Sequence, residues 1–197
     1  MGRTPRIFVI SGPSGVGKGT LVALLRERRP DLHLAVSATT RQPRDGEIPN
    51  VSYYFMDEDE FMRLADEGAF VEWDGHFEKR YGTLWSEVNS HLEQGQSVLL
   101  EIDVNGAFNV QKAIPDAVLI FIAPPSLVAL EERLRARGAE TEEQIALRLA
   151  RVEMEMSNAH KYHEVLVNDD LDVAVDELEA LIDKYENEGG IDQDVSN

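Results

Sequence analysis

A glycine-rich segment near the N-terminus carries the clearest chemical signal in the sequence. Residues 12–20 read GPSGVGKGT, and the spacing G-x-x-x-x-G-K within them ends at Lys18. Glycines permit a tight turn in which successive backbone N–H groups point at one anion. A helix that begins directly after the turn adds its positive dipole end, and the lysine adds a full charge near the β- and γ-phosphates. The segment therefore predicts a loop that binds a polyphosphate.

The hydroxyl residue of this loop stands one position later than expected. A loop of this type that contacts Mg²⁺ directly carries Ser or Thr straight after the lysine, whereas this sequence has Gly19 there and Thr20 next. The shift leaves a direct Mg²⁺ contact open, so we predict no certain metal ligand and expect Mg²⁺ to be held mainly by phosphates and water. The G-K-G-T form resembles the loop of nucleoside monophosphate kinases.

Two arginines in a second polar segment form another candidate phosphate site. Residues 37–47 read SATTRQPRDGE, and Pro43 and Gly46 make this segment a loop. Arg41 and Arg44 offer planar guanidinium groups, which bind phosphate oxygens in pairs. The alternative is that both arginines only make the surface soluble. Basic residues are scarce in a chain whose formal charge is −18, and their position near a phosphate-binding loop favours the phosphate site.

The second half of the chain carries basic residues at two predicted helices. Arg137 follows one helix, and Arg148 lies on the next helix, off its apolar stripe. From a mobile element, these two side chains would close over a transferring phosphate and exclude water. The alternative is ion pairing with nearby glutamates, which contributes little to stability at exposed positions. With two phosphate sites, the economical interpretation is phosphoryl transfer between two phosphorylated ligands that the protein aligns and neutralises.

Buried strands alternate with amphipathic helices along the chain. This pattern predicts an α/β fold in which a parallel sheet has helices on both faces. Strands are predicted at residues 7–10, 32–36, 51–55, 69–73, 97–103, 117–122 and 164–167. The first helix is predicted to begin at residue 20 and to end within 26–30. Further helices are predicted at 57–66, 84–92, 104–113 and 171–185, and after the N-cap candidates Ser126 and Thr141. A turn is predicted at 81–83.

Ligands of such a sheet bind beyond the carboxyl ends of its strands. Glu101 and Asp103 end one predicted strand, and Asn168 follows the last one. We therefore expect these three residues to share one rim of the sheet with the glycine-rich loop, the arginine loop and the arginines near residue 137.

Length and composition limit the class of protein. A chain of 197 residues can form one domain with insertions or two small domains. The absence of cysteine excludes disulfides and thiolate metal sites and favours the cytoplasm. The net charge of −18 argues against nucleic acid and anionic membranes as partners. We also expect no membrane helix and no signal peptide, because no apolar run is long enough.

Taken together, the motifs resemble those of guanylate kinases over nearly the whole chain, from Phe8 to about Ile182. The matching segments are GPSGVGKGT at 12–20, SATTRQPRDGE at 37–47, YYF at 53–55, FVE at 70–72, YGT at 81–83, EID at 101–103, RLRARG at 133–138, RL at 148–149 and VND at 167–169. The middle motifs are specific, because they belong to the nucleobase site and not to P-loop proteins in general.

The resemblance implies an α/β, three-layer P-loop fold with a central parallel sheet, an inserted lobe that binds the nucleoside monophosphate, and a helical lid. A single domain would then comprise a core (1–36, 95–132 and 159–197), a GMP-binding lobe (37–94) and a lid (133–158), with a disordered tail at 188–197. The implied activity is transfer of the γ-phosphoryl group of ATP to GMP or dGMP in purine nucleotide metabolism, with Mg²⁺ accompanying ATP. ATP and GMP are the implied partners, and the oligomeric state stays open.

Position by position, the resemblance also assigns roles to individual residues. The implied catalytic residues are Lys18, Arg44, Arg137 and Arg148. The implied ATP site consists of Gly12, Pro13, Ser14, Gly15, Val16, Gly17, Lys18, Gly19, Thr20 and Asn168. The GMP phosphate is assigned to Arg41, Arg44, Tyr53 and Tyr81, and guanine to Ser37, Glu72, Thr83 and Asp103. Ala38 and Ala139 depart from the family pattern without disturbing an assigned contact.

The guanine assignment also makes sense as hydrogen-bond chemistry. Guanine carries N1–H and N2–H donors beside the O6 acceptor, so carboxylates would accept from the donors and hydroxyls would donate to O6. AMP presents an unprotonated N1, and a polar site left unpaired can cost discrimination on the order of 10⁴. Two other hypotheses are a guanylate-kinase-like module that binds phosphorylated peptides, and a kinase for another nucleotide or a sugar phosphate. Such modules usually lack the intact phosphate loop that this sequence has.

Overall fold

A five-stranded parallel sheet forms the centre of the computed structural model, which describes residues 3–76, 79–136 and 141–188. The strands lie in the order β2-β7-β1-β8-β9. Their bounds are β1 Ile7–Ser11, β2 His33–Leu34, β7 Val98–Glu101, β8 Val118–Ala123 and β9 Glu164–Val167. The first strand is therefore central, and the loop that follows it opens at the middle of the carboxyl edge.

A second, four-stranded sheet is formed by the segment between β2 and β7. Its order is β4-β3-β6-β5. The strand bounds are β3 Ala38–Thr39, β4 Tyr54–Phe55, β5 Phe70–His76 and β6 Lys79–Leu84. Most of this sheet is antiparallel, and only β3 and β4 run parallel.

Seven helices among the described residues surround the two sheets. They are α1 Lys18–Arg28, α2 Glu58–Asp66, α3 Trp85–Leu92, α4 Val104–Ala113, α5 Leu127–Ala136, α6 Glu142–Met156 and α7 Leu171–Asn187, with a 3-10 turn at Ala159–Lys161. None of the helices in the described ranges is long and apolar enough to cross a bilayer.

The central sheet is covered on both faces because alternate residues of β1 point to opposite sides. Phe8 belongs to a buried cluster with Leu21 of α1 and Leu178 of α7. Val9 belongs to another cluster, with Val104 of α4 and Val88 of α3. The two clusters make a three-layer α/β fold, as the alternation of strands and helices predicts.

Most predicted helix starts are confirmed by their caps. Asp57 accepts a hydrogen bond from the backbone N–H of Glu60 (2.8 Å), and Ser126 accepts one from Ala129 (3.0 Å). Thr141 forms the predicted capping box. The bounds predicted for α4 agree with the structure. The strand predicted at 51–55 shrinks to β4, because residue 50 has a positive φ of 62° and a turn occupies 50–52.

The predicted turn at residues 81–83 is wrong, because these residues lie within β6. Gly82 has no positive φ and pairs with Trp73 across the β5–β6 ladder. A Cβ at Gly82 would lie 2.8 Å from Trp73 Cβ and 2.8 Å from Phe70 Cδ1. The glycine therefore serves close packing of the sheet, not a change of chain direction.

Replacing Gly82 should destabilise the second sheet. We expect Gly82→Ala to lower the free energy of unfolding by about 1–3 kcal/mol, because the added methyl group overpacks β5. Urea denaturation measures the loss. Gly75→Ala is the matched control, since a Cβ at Gly75 of β5 meets only Arg80 Nη1 at 3.8 Å. Equal stability of the two variants would contradict the packing role of Gly82.

Candidate active site

The glycine-rich loop joins β1 to α1 at the centre of the sheet. Gly12, Gly15 and Gly17 have positive φ angles of 143°, 89° and 99°. A Cβ at Gly12 would lie 2.2 Å from the carbonyl oxygen of Ile122. Gly17 caps α1 without a side-chain hydrogen bond. The start of α1 therefore offers its backbone N–H groups and positive dipole end to an anion.

Lys18 folds back over this loop. Its Nζ donates hydrogen bonds to the carbonyl oxygens of Gly12 (2.6 Å) and Pro13 (3.2 Å). Burial lowers the pKa of Lys18, while the charges of Glu101, Glu155 and Asp103 oppose this shift. The ammonium group is thus held at the loop by weak carbonyl acceptors, which a phosphate oxygen can replace.

A cavity of about 360 Å³ opens beside the loop. Asn168, which is 5% exposed, lines it and donates from Nδ2 to the carbonyl oxygen of Val16 (2.8 Å). Arg133 Nη1 donates to the carbonyl oxygen of Asn168 (3.0 Å). The other residues that line the cavity are Gly15, Val16, Gly17, Thr20, Asp169 and Leu171. The structure therefore brings the sequence-predicted Asn168 to the loop and adds Arg133, to which the sequence analysis gave no role.

A second cavity, of about 200 Å³, lies between the two sheets. Five of the predicted GMP-site residues line it, namely Ser37, Tyr53, Glu72, Tyr81 and Asp103. The remaining lining residues are Asp74, Gly82, Glu101 and Ile102. A pocket with several carboxylates and two tyrosines suits a flat ligand rich in hydrogen-bond donors.

Glu72 is the most buried carboxyl group of this cavity. It is 8% exposed, and its Oε1 accepts a 2.9 Å hydrogen bond from the hydroxyl of Thr83. Burial raises the pKa of Glu72 from 4.5 to about 7, although the Thr83 bond opposes this, and the charges of Asp103 and Asp74 raise it further. Thr83 is itself buried behind Glu72. It therefore orients the carboxylate instead of lining the cavity.

The arginine loop is organised by an acidic residue of its own. Arg41 donates to both carboxylate oxygens of Glu47, at 2.9 and 2.7 Å, and Glu47 Oε2 also accepts from the backbone N–H of Arg44 (2.7 Å). The hydrogen bonds from Arg41 lower the pKa of Glu47 to about 2. Arg41 also lies over the ring of Tyr53, 5.2 Å from its centroid. Arg41 is thus oriented by Glu47 and Tyr53, while Arg44 is exposed.

Helix α6 reaches the site with two arginines. Arg148 Nη1 lies 3.4 Å from the hydroxyl of Ser14 in the glycine-rich loop. Arg151 Nη2 lies 3.7 Å from Asp103 Oδ2, and Arg151 Nε donates to Glu155 (2.9 Å). Arg151 was not assigned a role from the sequence. Its position three residues after Arg148 places both on one helix face, but this spacing alone does not identify Asp103 as its partner.

The remaining predicted catalytic arginine, Arg137, lies outside the described residues, as does the part of the predicted tail at 189–197. Asp103 caps α4, and its Oδ1 accepts from the backbone N–H of Gly106 (2.8 Å). The structure therefore brings Asn168 to one cavity beside the glycine-rich loop, Arg148 to Ser14 of the same loop, and Glu72 with Asp103 to the other cavity.

Family, sequence and structure comparisons all match guanylate kinases. Residues 4–185 match the family model described as guanylate kinase. The guanylate kinase of Caldanaerobacter subterraneus subsp. tengcongensis is 46% identical over 176 residues, which cover 89% of this chain and 85% of the relative. The guanylate kinase of Thermobifida fusca is 49% identical over 177 residues, with 90% of each chain covered. The crystal structure of guanylate kinase from Anaplasma phagocytophilum has a TM-score of 0.76 and 31% identity, covering 94% of this chain and 88% of that chain.

The raised pKa of Glu72 makes the stability of the protein depend on pH. The folded state keeps the proton up to about pH 7, whereas the unfolded chain releases it near pH 4.5. This contribution is complete below pH 4.5 and is lost as the pH rises through about 7. We expect wild type to lose up to about 3 kcal/mol more than Glu72→Gln between about pH 5 and about pH 8.

Urea denaturation at both pH values measures this difference. Glu93→Gln is the control, because it replaces the same carboxyl group by the same amide at an exposed position. An identical loss of stability in wild type and Glu72→Gln would contradict the buried, proton-holding carboxyl group.

Proposed function

The chain belongs to the guanylate kinase family, and from that premise we propose that it transfers the γ-phosphoryl group of ATP to GMP or dGMP. The products are ADP and GDP or dGDP. One observation carries the choice of acceptor: the cavity between the sheets is lined by the buried carboxyl group of Glu72, which Thr83 orients from behind, and by Glu101, which lies next to Gly19 of the glycine-rich loop. Phosphoryl transfer needs two aligned anions and neutralised charge, so a phosphate loop next to a base-reading cavity supports this reaction.

Carboxylates in the cavity support the choice of guanine. Glu72 and Asp103 would accept from the N1–H and N2–H groups of the base, and the hydroxyl of Ser37 would donate to O6. The Thr83 hydroxyl donates a hydrogen bond to Glu72 Oε1 (2.9 Å) and so fixes the orientation of the carboxylate that would bind the base. Adenine has no N1–H, so it would leave a buried carboxylate unpaired.

The arginine loop supports binding of the GMP phosphate. Arg41 and Arg44 are both tied to Glu47, which holds the loop in shape before the ligand arrives. Tyr53 and Tyr81 pack with ring centroids 6.1 Å apart and line the same cavity as Glu72. In our proposal the two arginines supply charge and the two tyrosines supply hydroxyl donors to the phosphate.

The glycine-rich loop would bind the phosphates of ATP, and the cavity at Asn168 and Arg133 would take its base. Lys18 would move from the carbonyl oxygens of Gly12 and Pro13 to the phosphates. Arg148, which contacts Ser14 of the loop, would neutralise charge on the transferring group. Arg137 has the same proposed role by family resemblance. Arg151 would position Asp103, with which it forms an ion pair.

The oxygen donors near the loop fit Mg²⁺. Thr20 supplies a hydroxyl, and the carboxylate of Glu101 lies close enough that a Cβ at Gly19 would be 3.6 Å from its Oε1. Mg²⁺ prefers oxygen ligands and keeps several waters, so these groups would hold it together with phosphates and water. When bound, the ion supplies positive charge that neutralises the phosphate oxygens.

The division into parts follows from the same proposal. The core would comprise residues 1–36, 95–132 and 159–197, the GMP-binding lobe 37–94 and the lid 133–158. The second sheet lies wholly within the proposed lobe, and the contact of α6 with Ser14 is what a lid would make. A cytoplasmic location stays a prediction from the sequence.

Removal of the loop lysine should abolish most turnover. In a coupled assay with ATP, Mg²⁺ and GMP, we expect Lys18→Ala to lower kcat by about 10² to 10³, the effect of losing one charge-stabilising donor. Lys112→Ala is the matched control, because Lys112 is exposed on α4. Wild-type protein that binds GMP without turnover would favour the phosphopeptide-binding hypothesis instead.

Replacement of the Glu72 carboxylate by an amide should weaken the choice of base. At about pH 8, where this carboxyl group is largely ionised, we expect Glu72→Gln to lower kcat/KM for GMP by on the order of 10², because a charged acceptor of the N1–H or N2–H group is lost. The ratio of kcat/KM values for GMP and AMP should fall with it, while Glu93→Gln leaves both unchanged. A screen of GMP, dGMP, AMP and UMP measures these values. A preference for AMP or UMP in wild type would overturn the assignment of guanine.

A further inference from the structure

Three side chains with metal-binding atoms meet where the two sheets adjoin, outside both nucleotide cavities. They are His33 of β2 and the residues Glu87 and His91 of α3. One ligand atom of each lies within 4.8 Å of those of the other two. We propose that these three residues form a binding site for a divalent transition-metal ion of the Zn²⁺ class.

The elements of the fold explain why the three side chains converge. Glu87 and His91 are four residues apart on α3, so they project from the same helix face. His33 enters from the edge strand of the central sheet, and its Nε2 lies 2.7 Å from Glu87 Oε1. Two ligands from one helix and a third from a neighbouring strand give a site that exists only in the folded chain.

The pair of His33 and Glu87 requires only a small opening for an ion. At metal–ligand distances near 2.1 Å, tetrahedral geometry separates two ligand atoms by about 3.4 Å. His33 Nε2 and Glu87 Oε1 would therefore move apart by less than about 1 Å, and the ion would replace their hydrogen bond. The imidazole rings of His33 and His91 are stacked, with centroids 3.3 Å apart and planes at 9°. The ring of His33, whose hydrogen bond to Glu87 the ion replaces, must turn about χ2 so that both lone pairs point at the ion.

Further hydrogen bonds hold the ligands in place. His91 Nδ1 lies 2.8 Å from Gln96 Oε1, an acceptor that selects the tautomer with the proton on Nδ1 and leaves a lone pair on Nε2. Glu87 Oε2 accepts from the hydroxyl of Tyr54 (2.6 Å), and Oε1 accepts from the backbone N–H of Val36 (2.9 Å). Outer partners of this kind orient metal ligands and tune their affinity.

The donor set selects the kind of ion. Two imidazole nitrogens and one carboxylate suit Zn²⁺ or Co²⁺, whereas Mg²⁺ prefers oxygen ligands. Glu87 is 7% exposed, while His33 has 21% of its side chain exposed, so the site is buried on one side and open on the other. A bound ion would join β2 of the central sheet to α3 and, through Tyr54, to the second sheet.

Titration of the metal into full-length, nucleotide-free protein tests the site. After treatment with a chelator, the protein is titrated with Zn²⁺ against a chromophoric competitor in excess Mg²⁺, which occupies exposed carboxylates. We expect one Zn²⁺ per chain, and an affinity at least about tenfold lower in His91→Ala and in His33→Ala. His160→Ala is the matched control, because His160 is exposed on the 3-10 turn. Co²⁺ should give a visible absorption band of a tetrahedral site in wild type and not in His91→Ala.

Gln96→Ala serves as a second variant if loss of a histidine prevents folding. It leaves all three ligands in place and removes only the partner of His91, so Zn²⁺ affinity should fall by about tenfold. Absence of Zn²⁺ binding to wild type would overturn the site. So would an affinity that none of the His33, His91 and Gln96 substitutions lowers, since the ion would then be bound by surface carboxylates.

Discussion

The site gathers positive side chains in a chain with a formal charge of −18, and protein oxygens hold them in place before any ligand binds. Lys18 donates hydrogen bonds to the carbonyl oxygens of Gly12 and Pro13, and Arg41 donates to the carboxylate of Glu47. These contacts keep the side chains ordered, so little conformational entropy is lost when a phosphate replaces or joins the protein oxygen. The same acidic surroundings limit where a phosphorylated ligand can bind, because elsewhere the surface repels it.

The parts of the structure that depend on local sequence were predictable. The glycine-rich loop needs only its own residues and the flanking strand and helix, and the caps at Asp57 and Thr141 involve residues three apart. Long-range packing was not predictable in the same way. The sequence around Gly82 predicts a turn, yet a glycine is needed there because Trp73 on the neighbouring strand leaves no room for a Cβ.

In the candidate site, too, local features were predictable and long-range contacts were not. From the sequence, Glu72 and Thr83 are predicted as separate base contacts, whereas in the structure they pair across the β5–β6 ladder, with Thr83 behind Glu72. Arg151 and Arg133 had no signal strong enough to assign them, because their partners depend on how α6 meets Asp103 and how α5 meets the end of β9. Such pairings arise from the arrangement of whole elements, which a single sequence does not reveal.

The hydrogen bond from Asn168 to the carbonyl oxygen of Val16 spans 152 residues of sequence. In addition, β1 is flanked by β7 and β8, which are both distant in the chain. A growing polypeptide on the ribosome thus carries the glycine-rich loop early, but it acquires the wall of that loop only when residue 168 has emerged. A nascent chain shorter than this therefore carries the phosphate-binding motif without the side chain that supports it.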